Sequence, residues 1–287
     1  MLSPAYAKRN VHRLFAACAG FLLLFSSTVS AAPGRVVSIN LCTDQMAMMI
    51  AAERQLVSVS MLAADPAVSM MAEEAAAYPQ NTGLAEQVFQ LKPDLVLAGT
   101  YTTRPTVDLL KRLGIPVAEF PPASSLDDVR KNLVRLGVLL DRGQAAAALI
   151  ANMDESLAAL AAMPATARTA ALYYANGYTS GENSLAGEMI ARLGLVNIAA
   201  TTGLDSLGRL PLERLLMAAP EVIIGGDVGY DAPSLAQQGF SHPAFVAAAE
   251  KADYVVLPSR YSICGGPFNV AGISLIAARL AGAAGDE

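Results

Sequence analysis

The sequence predicts an α/β protein of two lobes, each built on a parallel-type central sheet, joined by a single long connecting helix. Three observations predict it. Short apolar runs of strand length alternate with helical runs along most of the chain, the pattern of a parallel α/β layer. One stretch, Gln144 to Ala162, reads as helix with almost no breaker. The third is an internal echo. Glu86 to Leu97 (EQVFQLKPDLVL) and Glu213 to Ile224 (ERLLMAAPEVII) share one form: acid, apolar helix, Pro, acid, apolar strand.

The first lobe, residues 33–142, opens with a strand at Arg35 to Asn40 and a helix from about Thr43 to Ala52. A strand at Leu56 to Ser60 follows, and the Met- and Ala-rich stretch Ala67 to Ala77 is expected to be helical. Glu86 to Leu91 is a short helix closed by Lys92-Pro93, and Leu95 to Ala98 is a buried strand. Arg104 to Leu113 is a helix ended by Gly114, and Ile115 to Phe120 is another strand. Ser125 then starts a helix, with Asp127 and Asp128 at its positive end.

The connecting segment, residues 143–163, places Leu149, Ile150, Met153, Leu157 and Leu160 at helical spacing before Pro164 stops it. A helix of ~19 residues spans roughly 28 Å, enough to bridge two lobes. The second lobe, 164–287, repeats the alternation. Strands are expected at Ala171 to Gly177, Glu221 to Gly226 and Tyr254 to Pro258. Helices are expected at Leu185 to Leu193, Leu212 to Ala218, His242 to Lys251 and Asn269 to Leu280.

Residues 1–32 read as a secretory signal. Lys8, Arg9 and Arg13 precede the apolar run Leu14 to Phe25, and small residues follow at Val29 to Ala32. A single membrane anchor is the competing reading, but a span needs about 20 apolar residues and this core is shorter. Cys18 suggests a lipoprotein signal, yet it lies close to the basic region without a long apolar lead-in. Loss of the signal takes Lys+Arg from 20 to 17 against 25 Asp+Glu, leaving −8. That balance disfavours nucleic acid and anionic membrane surfaces. The remaining apolar runs are short, so no stable membrane insertion is expected and the mature protein should be soluble.

From these residues the chain resembles the iron–siderophore and cobalamin binding proteins of ABC importers, across nearly all of its mature length. RVVSINLCTDQMAMMIAAERQLVSVS is similar to the opening strand, helix and strand of that family. GLAEQVFQLKPDLVLAG is similar to its strongest signature, and LGRLPLERLLMAAPEVIIGG to the second-lobe counterpart. The resemblance implies the helical-backbone periplasmic binding protein fold, a monomer in the periplasm, and a metal-chelate ligand held between the lobes. It also implies a membrane permease dimer as partner, whose arginines receive one glutamate from each lobe. By position these are Glu86 and Glu213. On pattern alone, each reads as a solvated acid at a helix start.

Open parallel sheets bind ligands beyond the carboxyl ends of their strands. The loops there are Asn40–Asp44, Ser60–Pro66, Gly99–Arg104, Ala175–Ser184, Gly225–Asp231 and Ser259–Phe268. They carry Tyr101, Arg104, Tyr178, Tyr230, Arg260 and Tyr261 as candidate ligand-binding residues. Tyrosines offer an apolar body with a polar tip, and guanidinium groups grip carboxylate or catecholate oxygens. The competing reading is lobe-packing tyrosines and surface arginines. The chain has no Trp, and Ser60-Met61-Leu62 stands where cobalamin-binding members place an aromatic loop, so siderophore, haem or another chelate stays open.

Cys42 and Cys264 each fall in a predicted cleft loop, one per lobe. They are inert small residues, a cross-cleft disulfide, or soft metal ligands. No enzyme is expected. There is no G-x-S-x-G elbow and no P-loop, and His242 is the one mature histidine. No catalytic residue and no cofactor are assigned. A metal-chelatase-like enzyme or a direct metal-ion binder of the same shape is the alternative. Chelatase activity belongs in the cytoplasm, and free-metal capture usually uses several histidines.

Overall fold

The structure is a computed structural model describing residues 32–162, 167–226 and 235–283. The expected signal therefore lies outside the described residues, apart from Ala32. Among the described residues, no helix is long and apolar enough to cross a membrane.

The first lobe runs β1 (Val36–Ser38), α1 (Leu41–Ile50), β2 (Leu56–Ser60), α2 (Ala72–Ala75), β3 (Gln80–Asn81), α3 (Ala85–Gln90), β4 (Leu95–Gly99), α4 (Arg104–Arg112) and β5 (Val117–Phe120). Its five strands form one parallel sheet in the order β3-β2-β1-β4-β5. Two helices follow, α5 (Leu126–Leu139) and the nineteen-residue α6 (Gly143–Ala161). The second lobe runs β6 (Thr169–Tyr173), β7 (Tyr178–Ser180), α7 (Leu185–Ala191), β8 (Val196–Asn197), β9 (Leu207–Arg209), α8 (Leu212–Ala218), β10 (Val222–Gly225), α9 (Pro243–Ala249), β11 (Asp253–Val256) and α10 (Asn269–Ala283). Its main sheet is parallel, in the order β11-β10-β6-β8, with an antiparallel β7–β9 ribbon beside it. Two parallel α/β lobes joined by one long helix are thus the observed architecture.

Alternation along the strands decides what each face buries. In the first sheet, Val36, Leu95 and Leu97 face a core shared with α1 and α5, while Val37, Val96 and Ala98 pack on Val88, Val107 and Leu110. In the second, Leu172, Val222 and Ile224 face inward, while Ala171, Tyr173 and Ile223 pack on Leu215 and Phe245. β4 and β10 are buried on both faces, as their unbroken apolar runs require. The inner cluster continues from one lobe through α5, α6, α7 and α10 into the other. The lobes therefore share an apolar seam along the connecting helices.

The echo extends beyond sequence. In both copies the residue before proline is non-glycine with positive φ, 48° at Lys92 and 42° at Ala219. In both, the acid after proline ties down the start of a neighbouring strand. Asp94 Oδ2 accepts from the Gly34 and Arg35 amides, and Glu221 Oε2 accepts from the Thr169 amide. An arginine completes each knot. Arg35 donates to the Leu91 and Lys92 carbonyls, and Arg168 to the Glu221 carbonyl and Asp253 carboxylate. These acids and arginines serve the fold.

Some expectations are corrected. Ala67 to Ala77 is helical only at Ala72–Ala75. Asp65 Oδ1 accepts from the Ala67 amide, Gln45 Oε1 from Met70 and Ser69 Oγ from Met71, and these bonds hold the backbone in turns. Asn40–Asp44 is no loop: Asn40 caps α1, accepting from the Cys42 and Thr43 amides. The strand expected to reach Gly177 ends at Tyr173.

Candidate functional site

The carboxyl ends of both sheets face a cleft, and a cavity of about 140 Å³ lies within it. One wall comes from the first lobe: the start of α1, the turn after β4, and the crossover at Phe120 to Ala123. The opposite wall is Leu185 of α7 with Ser262, Ile263 and Gly265. Among the described residues, no charged side chain lines it. The polar groups are Asn40, Thr43, Thr100, Asn132, Tyr101 and Ser262, set among Met46, Phe120, Leu185 and Ile263.

Local chemistry fixes these walls. The Ser38 and Thr43 hydroxyls share a buried 2.8 Å hydrogen bond at the base of α1. Gly99 lets Asn40 lie close: a Cβ there would stand 2.8 Å from Asn40 Nδ2. The loop from Ser262 to Phe268 is held from beneath by Asn269. Its Nδ2 donates to the Tyr261 and Cys264 carbonyls, and its Oδ1 accepts from the Gly266 amide. A Cβ on Gly265 would stand 2.5 Å from Ala123 Cβ, so glycine permits the two lobes to touch there. Asn269 was not singled out from sequence; an asparagine opening a long apolar helix is its only signal.

Cys42 and Cys264 form a disulfide across the cleft, with Cα atoms 5.2 Å apart. Of the three readings of this pair, that is the one observed.

The predicted ligand-binding residues are scattered around this cavity. Tyr101 lines it and is 88% exposed at its rim. Arg104 Nη1 donates to Glu119, which also receives Lys111 Nζ. Hydrogen bonds from Lys111 and Arg104 hold Glu119 below the usual carboxylate range. Tyr178 carries the Arg209 guanidinium 5.7 Å above its ring. Arg260 sits 5.4 Å over the Tyr261 ring and reaches across to the Pro66 carbonyl at 3.3 Å. Tyr230 lies outside the described residues.

Glu86 and Glu213 are both exposed, each in the first turn of its helix, and neither makes an ion pair among the described residues. Each has exposed apolar companions nearby in sequence: Leu84 and Phe89 for the first, Leu207 and Met217 for the second.

Behind the cavity, Asp44 is fully buried. Its Oδ2 accepts from Ser60 Oγ at 2.5 Å, and its Oδ1 has no partner. Burial pushes this carboxyl up to about 6 from an ordinary 3.8, against the pull of Ser38 and Ser60. The folded protein therefore holds the proton more tightly than the unfolded chain. Stability from this group is complete at low pH and is lost as pH rises through 3.8 to about 6, by roughly 3 kcal/mol at most. Asp44→Asn should remove this loss, gaining about 1–3 kcal/mol on wild type between pH 4 and pH 7.5. Urea unfolding at the two pH values checks it; equal losses in both proteins would refute the assignment.

The profile of a family described as periplasmic binding protein matches residues 36–261. A cobalamin-binding protein of Halobacterium salinarum is 34% identical over 205 residues, covering 69% of this chain and 55% of that one. The chain thus spans about half the length of the curated relatives it matches. Similar solved structures include a possible iron-binding periplasmic protein of Staphylococcus epidermidis, with TM-score 0.71 at 16% identity, covering 87% of this chain and 99% of that one. A periplasmic heme-binding protein from Roseiflexus sp. RS-1 gives TM-score 0.71 at 22% identity, with 85% and 97% covered. The periplasmic vitamin B12 binding protein of Vibrio cholerae gives 0.64 at 17%, with 87% and 97% covered.

Proposed function

The chain belongs to the periplasmic binding protein family, and from that premise we propose that it is the substrate-binding protein of an ABC importer. In this reading it works as a periplasmic monomer and is not an enzyme. It captures a metal chelate between the lobes and docks on a permease dimer through Glu86 and Glu213. The observation that carries the reading is the cleft with an unpaired carboxylate on the matching helix of each lobe. An exposed carboxylate suits reversible, directional contact with arginine at a wet interface.

The lining favours one ligand class. Anionic haem propionates or catecholates call for cationic partners, and the described lining of the cavity supplies none. A neutral, amide-rich corrinoid is matched by Asn40, Thr43, Thr100 and Asn132, and the name of the Halobacterium relative agrees. Pockets that enclose drug-sized ligands measure about 300–1,000 Å³, so this cavity would hold one substituent of such a chelate. The macrocycle would then lie across Tyr101 at the rim.

Calorimetric titration tests this. Cyanocobalamin should bind with micromolar or tighter affinity and haemin at least tenfold more weakly. Tyr101→Ala should weaken cyanocobalamin about tenfold, the ~1.4 kcal/mol of a lost aromatic contact. Tighter binding of haemin would overturn the ligand assignment.

A further inference from the structure

We infer that the Cys42–Cys264 disulfide is a clasp that fixes the width of the ligand cleft, so that ligand exchange proceeds without the lobes parting there. The functional half of this rests on the substrate-binding reading; the mechanical half does not.

Among the described residues, two hydrogen bonds and one disulfide join the lobes across the cleft, spread along the first sheet. Beyond β2, Arg260 Nη1 donates to the Pro66 carbonyl at 3.3 Å. Beyond β1 stands the disulfide. At the start of α5, the Leu126 amide donates to Glu188 Oε2 at 2.7 Å. The cavity lies between the second link and the third, with Cys42 in one wall and the crossover in another.

Hydrogen bonds break and reform, so the outer links do not limit excursions. The middle one does. A disulfide keeps its Cα atoms within about 4.4–6.8 Å. From 5.2 Å the walls can separate there by less than about 2 Å. Closing is blocked as well, because Gly265 already rests on Ala123. With the connecting helices as one fixed element and the disulfide as another, the remaining motion is a twist about the line between them. Cys42 and Cys264 are thus positioning residues for the site.

Hydrogen exchange on the ligand-free full-length protein tests the clasp. Three samples are compared: the oxidised protein, the Cys42→Ser/Cys264→Ser variant, and wild type held in dithiothreitol. In the last, the disulfide takes two electrons and two protons from the dithiol, which closes to its own cyclic disulfide. The reduced wild type guards against a variant that folds poorly. At labelling times short enough that β4 and β10 stay protected in all three samples, opening the bond should raise exchange at least tenfold at the Leu126 and Gly266 amides. A merely stabilising crosslink would raise exchange at those amides only where both sheets lose protection with them, and that result overturns the proposal. So does unchanged exchange in both opened forms. Failure of cyanocobalamin to bind would remove the ligand reading and leave this result standing.

Discussion

Glu86→Ala combined with Glu213→Ala should abolish uptake through the permease while ligand affinity stays within about twofold of wild type. Truncating one partner of a hydrogen-bonded charge pair at an interface typically costs 2–5 kcal/mol, much of it from the charge left behind. Two such losses amount to roughly 4–10 kcal/mol, or at least about a thousandfold in docking. Each single variant should retain measurable transport, since the other contact remains. Folding should be unaffected, because both carboxylates are exposed and Leu215, not its neighbour Glu213, fills the core. Uptake into proteoliposomes carrying the permease, run beside calorimetric titration of the free protein, separates the two effects. Collapse of ligand affinity in the double variant would show that the glutamates serve the cleft or the fold.

Loss of the disulfide should be the costliest covalent change. It closes a loop of 222 residues, and the chain-entropy estimate for a loop of that length is about 5 kcal/mol. For a chain of this size, that corresponds to a fall in Tm on the order of 10 °C. Thermal unfolding followed by circular dichroism, with and without dithiothreitol, measures it directly. A melting curve indifferent to reductant would mean that the crosslink does not constrain the unfolded chain.

The fold was legible where physics is local. Parallel strands such as Leu95–Gly99 and Val222–Gly225 are apolar throughout because both faces are covered, and proline marks the start of each. The long helix was legible because Gly143–Ala161 has one glycine, at its first residue, and no proline. The overreach at Ala67 to Ala77 came from reading Met- and Ala-rich composition without the side-chain bonds of Asp65, Gln45 and Ser69. Gln80–Asn81 and Val196–Asn197 are too short to show a period of two. Asparagine fastens both strands: Asn81 Nδ2 donates to the Ser38 and Val59 carbonyls, and Asn197 Nδ2 to the Ser180 carbonyl.

The site was legible by region more than by residue. Strand ends located the cleft, but its walls come from separate segments that only the topology assembles. Charged and aromatic candidates drew attention as chemically conspicuous groups. Yet Arg104 is occupied by Glu119, and Tyr178 lies beneath Arg209. Of the candidates Tyr101 lines the cavity, and the other polar lining groups are asparagines, threonines and a serine that no spacing distinguishes. The acidic echo was legible in the sequence, where Glu86 to Pro93 and Glu213 to Pro220 span the same interval, and it folds as matching helices.

The uncharged lining found among the described residues has a consequence for kinetics. Mobile ions screen attraction between charges over about 8–10 Å and leave uncharged partners nearly untouched. Under the proposed function, collision of a neutral ligand with this cavity would be almost blind to ionic strength, whereas docking of Glu86 and Glu213 on permease arginines would slow as salt accumulates. In the same reading, loading and handover would respond to different features of the medium, and a rise in salt would retard docking without emptying the carrier.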